Sequence, residues 1–162
     1  MTTSRRILIF GGLALAALGM LYGLHYAVFV EHQTLNNMGG FLFGAFSKAA
    51  AGNMTASASA VQGYTTVHYD YVRQVDLHSH WIGLAMVMIV LGVVFDDVAF
   101  GEPTRIWLAI ALLSGSAIFP LGVILQTVMR GSAVGSALAI AGSVLVIAPM
   151  AAIAVGLARQ PS

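Results

Sequence analysis

Five histidines and no cysteine set the chemistry open to this chain. His78 and His80 stand at the mouth of one apolar run, Leu77 to Val98, with His68 ahead of it. His25 and His32 stand at the far end of another run, Ile7 to Val30. Imidazole is the commonest protein ligand for metals and haem iron. Ionisable side chains near hydrocarbon are costly and tend to face a bundle interior or a functional site. The lack of cysteine excludes disulfides, thiolate-ligated haem, cysteine-held iron–sulfur clusters and covalently attached c-type haem.

The spacing of the histidines narrows their roles. His78 and His80 are separated by about 200° on a regular helix, so both cannot face one metal ion. One is expected inward as a ligand and the other outward. Asp70, Asp76 and Glu31 are candidate acceptors for the second ring N–H that a ligating imidazole donates. His25 and His32 are seven residues apart and share a helix face. At about 1.5 Å per residue, His25 lies roughly 27 Å along the helix from Ile7, and His80 roughly 23 Å from Phe95. The two therefore reach similar depth from opposite directions, and a histidine layer at one face of a bundle is expected.

The elements that must position this layer are legible in the composition. Of 162 residues, 59% are hydrophobic and 8% charged, against about a quarter charged in a soluble domain. Net charge is +1, with no basic run suited to nucleic acid. Four segments reach the roughly 20 apolar residues that a spanning helix needs: about 7–30, 77–98, 106–129 and 134–157. The expected fold is all-α, an integral membrane four-helix bundle forming one domain over 1–162. Its N-terminal Arg5-Arg6 and apolar run imitate a signal peptide, but no convincing small-residue cleavage site follows, and a retained span is expected. Residues 31–76 are read as a long outer loop capping the bundle mouth. It holds the apolar stretch Gly39–Phe46, too short to span, a low-complexity stretch Ala49–Ala60, and the interfacial aromatics Tyr64, Tyr69 and Tyr71. Arg130-Gly131-Ser132 reads as a tight turn that makes the last two helices antiparallel neighbours.

Four spans put both termini on one side. Arg5, Arg6, Arg105 and Arg159 fall there, and Lys48, Arg73 and Arg130 fall opposite. The positive-inside rule then places the termini in the cytoplasm of a bacterial inner-membrane protein. The bilayer and further copies of the chain are the expected partners.

Zinc or copper could use three or four of the histidines, but no His-x-x-x-His pair occurs. Haem b suits the layout better. One or two of His78, His80 and His25 would hold iron, and the ring would slot between helices lined by small residues such as Gly83 and Gly115. The same residues also permit close helix packing without any cofactor. Pro120 interrupts backbone bonding in the third span and should kink it. Gln126 and Tyr26 are candidate polar contacts for a substrate.

The stretch His78-Ser79-His80-Trp81-Ile82-Gly83-Leu84-Ala85-Met86 resembles the His-x-His opening of the second helix in small membrane haem b proteins of the cytochrome b and haem–copper-oxidase-like kind. It also resembles the second helix of the styrene oxide isomerases, four-helix membrane enzymes that use haem b as a Lewis acid. The likeness extends through Ile89, with Leu113-Ser114-Gly115 a fainter echo, and covers about a fifth of the chain. It implies His78 as iron ligand. Departures are Leu84 where those enzymes have asparagine, Ser114 where they have aspartate, and no tyrosine after Tyr71.

Three functions follow. The first is a haem enzyme with one open axial position, acting on a small hydrophobic substrate, for instance by opening an epoxide to an aldehyde. The second is an electron-transfer cytochrome b or respiratory subunit, with His25 and His80 ligating iron from both sides and quinol as reductant. The third is a cofactor-free transport or assembly subunit.

Overall fold

The computed structural model describes residues 1–159. It is all-α: α1 (Thr3–Phe29), α2 (Glu31–Ala50), α3 (Met54–Val94), a 3-10 turn (Phe95–Asp97), α4 (Glu102–Val128) and α5 (Ala133–Ala158). Among the described residues, α1, α3, α4 and α5 are long and apolar enough to cross a membrane, the make-up of a multi-pass membrane protein. The chain divides into two compact units, one of residues 1–20 with 77 onward and one of residues 21–76.

In the first unit, helices meet through small residues rather than interlocking bulk. The buried residues of α1 are Ser4, Leu8, Gly12, Leu15 and Gly19. Steps of four and three keep them on one stripe. That stripe faces α3. A Cβ on Gly12 would lie 2.9 Å from the Ala85 carbonyl oxygen, and one on Gly92 would lie 3.3 Å from the Ile9 nitrogen. Leu77, Ala85 and Met88 form the matching buried stripe of α3, which Phe95 of the 3-10 turn continues.

The α4–α5 seam is closer still. A Cβ on Gly115 would meet the Gly142 carbonyl oxygen at 2.8 Å, one on Gly122 the Ala139 nitrogen at 2.4 Å, and one on Gly142 the Phe119 nitrogen at 2.4 Å. Such backbone-on-backbone contact is how helices associate where lipid removes the usual hydrophobic driving force. The turn between them has the expected chemistry. Gly131 sits at φ 77°, and the Ser132 hydroxyl accepts a hydrogen bond from Gly135 N (3.2 Å), capping the first turn of α5.

A polar clamp closes one end of this unit. Glu102 accepts from Ser4 N and Ser4 Oγ, both at 3.0 Å, satisfying an N–H that the start of α1 leaves unpaired. The Glu102 charge also complements the helix dipole. Asp96 takes Arg5 at 3.2 Å and the Thr2 hydroxyl. Arg105 pairs with Glu102 at 3.3 Å and donates to the Asp96 carbonyl oxygen at 3.0 Å. Ser4 is fully buried.

The second unit corrects the expectation of a long outer loop over 31–76. This stretch is helical apart from a short turn at residues 51–53. The span expected at about 77–98 is only the second half of α3, a helix of 41 residues. The physical reason lies in the Ala-rich stretch, which has the highest helix propensity of any residue type. The turn is built by Gly52 at φ 75°. Gly52 N donates to Ala49 O and Asn53 N to Lys48 O, each at 2.9 Å, the paired bonds of a Schellman cap. Asn53 Oδ1 then accepts from Ala56 N at 3.0 Å, starting α3. The hairpin closes on small residues: Ala45 and Ala60 are buried, Ser57 Oγ donates to Ala45 O at 2.9 Å, and the Phe41 ring lies over Gly63.

Candidate functional site

The unbroken helical pitch of α3 sends His78 and His80 to different surroundings, as their spacing requires. His78 is half-buried, and its Nδ1 lies 3.0 Å from the Gly19 carbonyl oxygen of α1. A carbonyl can only accept, so Nδ1 carries the hydrogen. In the neutral form of the ring the lone pair then lies at Nε2. Glycine at position 19 allows this approach: a Cβ there would stand 3.1 Å from Ile82 Cγ1 and 3.3 Å from Trp81 Cβ.

His80 is exposed and meets the Phe119 ring edge-on at a centroid distance of 5.3 Å. It borders two grooves of the first unit. One, of about 270 Å³, is lined by Ser79, His80, Gly83 and Leu84. The other, of about 110 Å³, lies among α3, α4 and α5. Gly83 has open space around its Cβ position.

The remaining candidates are placed differently. Gly115 faces the α5 backbone, where neither a methyl group nor a porphyrin edge fits. Gln126 is tied into the same seam: its Nε2 donates to Ser136 Oγ at 2.9 Å, which holds α4 to α5 beside their turn. His25 and Tyr26 belong to the second unit, where His25 packs on Phe29 (5.5 Å) and Tyr26 on Tyr71 (6.5 Å). His32 Nε2 lies 3.2 Å from Asn36 Nδ2, and His68 stacks on Tyr64 at 5.6 Å. His25, His32 and His68 therefore each meet a partner four residues away on their own helix. No group of three histidines, aspartates or glutamates among the described residues is arranged to hold a metal ion.

Three contributors were missed in the sequence: the Gly19 carbonyl, Phe119 and Ser143. Only the last two carried a signal, as an aromatic beside Pro120 and as a hydroxyl inside an otherwise apolar run. The fold and site together define a small all-α protein of multi-pass make-up with one carbonyl-oriented imidazole and one groove-facing imidazole on the same helix. No protein-family model, curated protein or solved structure matches the chain.

Proposed function

We propose that this chain is an integral membrane haem b protein in which His78 holds the iron through Nε2 and a small hydrophobic molecule is the substrate. The observation that carries this reading is the 3.0 Å contact of His78 Nδ1 with Gly19 O. Imidazoles that ligate metals donate their other N–H to a carboxylate, carbonyl or water, which selects the tautomer, orients the ring and raises its basicity. The resemblance of the His78–Met86 stretch to membrane haem b proteins points to the same residue. Bound haem b would supply a ferric Lewis acid for a substrate oxygen, as epoxide isomerisation requires. The chain itself supplies the imidazole oriented by the Gly19 carbonyl. We further assign both termini to the cytoplasmic side of a bacterial inner membrane, on the Arg5-Arg6 pair beside α1, and a homo-oligomer that covers part of the exposed apolar surface.

A second reading takes His80 as the ligand, favoured by the open space at Gly83. One experiment decides between them. The purified protein, reconstituted with haem b, should show a Soret band that shifts with cyanide. His78→Ala should abolish haem retention, and His80→Ala should preserve it. Full retention in His78→Ala overturns the assignment, and loss in His80→Ala alone transfers it to His80.

A further inference from the structure

One face of α2 is built as a helix seam with no partner among the described residues. Leu35, Gly39, Leu42 and Phe46 recur at steps of four, three and four, the spacing of a coiled-coil seam. All four are exposed, with exposed Phe43 beside them. Phe41 and Ala45, which meet the first half of α3, lie roughly 100° round the helix, so the α2–α3 hairpin leaves the seam open. Gly39 marks it further. A glycine inside a helix costs about 1 kcal/mol against alanine. Between α4 and α5 that cost is offset by backbone contact, but a Cβ on Gly39 would meet nothing within 4 Å. The room for a close neighbour exists on α2, and the chain does not fill it.

The make-up of the helix selects the occupant. Among the described residues the apolar spans are α1, α3, α4 and α5, not α2. Gln33, Asn37, Ser47 and Lys48 stand on its other faces, so hydrocarbon does not suit it on all sides. A helix lying on a bilayer surface carries lysine and arginine along its polar face, yet between His32 and His68 the one charged residue is Lys48. Charge depletion with aromatic enrichment is instead the composition of a protein interface core, and a surface with almost no charge does not repel its own copy. The area agrees. Phe43 and Phe46 are 75% and 72% exposed, and a phenylalanine can bury about 150–250 Å². In a symmetric pair these two positions alone contribute about 450–750 Å², over a third of the roughly 1,200 Å² at which stable interfaces begin. Leu35, Leu42 and the backbone at Gly39 add to that, and confinement of both copies to one bilayer raises their effective concentration. We infer that the Leu35–Phe46 seam of α2 docks a second copy of this chain, seam to seam about a two-fold axis, with Phe43 and Phe46 as its anchors. The inference rests on the self-association proposed above and names its face; it does not depend on haem.

The chain has no cysteine, so single-cysteine variants report contact between copies without background. A disulfide forms only where two Cα atoms come within about 7 Å. Leu42 lies near the middle of the seam and hence near the two-fold axis whichever way the paired helices run. The test uses the full chain in phosphatidylcholine vesicles, oxidised with copper phenanthroline and read as disulfide-linked dimer on a non-reducing gel. Leu42→Cys should give dimer, and Asn37→Cys, equally exposed on another face, should not. Adding Phe46→Glu to Leu42→Cys should lower the yield about tenfold, the loss of one anchor; the position is exposed, and helical circular dichroism checks that the variant folds. Equal dimer from Leu42→Cys and Asn37→Cys, or a yield unchanged by Phe46→Glu, overturns the seam. A bimane label on Leu42→Cys that brominated phosphatidylcholine quenches more than one on Asn37→Cys, with no dimer, gives the seam to the bilayer and overturns docking of a copy. The mass of wild type in mild-detergent micelles separates the remaining failures. An oligomer without the Leu42→Cys dimer overturns this face alone, and a monomer without it overturns self-association itself.

Discussion

Gly142→Ala is the sharpest perturbation that the structure offers. The added methyl would lie 2.4 Å from the Phe119 nitrogen and 2.6 Å from its Cα. Both are backbone atoms, so no rotamer change relieves the clash. To restore ordinary contact near 3.4 Å, α4 and α5 must part locally by about 1 Å, and a radial gap of that size forfeits about a quarter to a half of the dispersion energy of each affected pair. Overpacking and lost contact together come to about 2–3 kcal/mol, or about 30- to 150-fold in the unfolding equilibrium. The assay is unfolding in mixed micelles, titrated with SDS and followed by helical circular dichroism. Gly83→Ala is the control. Its Cβ meets nothing within 4 Å, and replacing a mid-helix glycine by alanine should be neutral or stabilise by up to about 1 kcal/mol. If Gly142→Ala unfolds at the wild-type SDS fraction, or if Gly83→Ala loses as much as Gly142→Ala, the glycine seam is not what holds α4 to α5.

Three further outcomes are expected. Glu102→Gln removes a charge that faces Arg105 and the start of α1 while keeping its shape; it should cost about 1–2 kcal/mol by the same titration. Gly52→Ala puts a side chain on a residue at φ 75°; it should cost about 1–2 kcal/mol and raise hydrogen exchange in α2 and the first half of α3, read by mass spectrometry. Ser116→Ala should be neutral or stabilising by up to about 1 kcal/mol, because the buried Ser116 hydroxyl has no hydrogen-bond partner among the described residues and an unpaired buried hydroxyl is costly. A loss above about 1 kcal/mol in that variant, measured by SDS titration, would show that the hydroxyl is paired.

Much of the bundle could be read directly from the chain. The starts of α1 and α4, and both ends of α5, fall within four residues of the expected spans, since apolar length is a strong signal and Ser132 and Gly131 carry turn chemistry that needs no tertiary context. The stretch from 31 to 76 was misjudged because alanine and serine without an apolar period look like linker. Yet alanine is the best helix former, and Gly52-Asn53 was a visible stop and start. The directions of the histidine rings were harder to read. Rise per residue gives depth, but not the direction in which a ring points. That direction depends on neighbours: Phe29 for His25, Asn36 for His32, Tyr64 for His68. Each stands four residues away, so this pairing was available from the sequence. The Gly19 carbonyl was not, because a backbone acceptor leaves no mark in residue type. Gly115 and Gln126 illustrate a further ambiguity. Small and polar residues in a span serve close packing as readily as a cofactor, and here they serve packing.

The clamp at Glu102 has a consequence for how the protein is made. Ser4 is joined to a residue 98 positions later in the chain. At about 5–20 residues per second on the ribosome, that separation is a wait of about 5–20 s. Throughout that interval the first span is in the bilayer with its leading turn still served by water or lipid headgroups. The α3 residues that α1 packs against, among them Ala85 and Gly92, are made before the fourth helix, so the first span can dock there early, and the capping of its leading turn by Glu102 comes last.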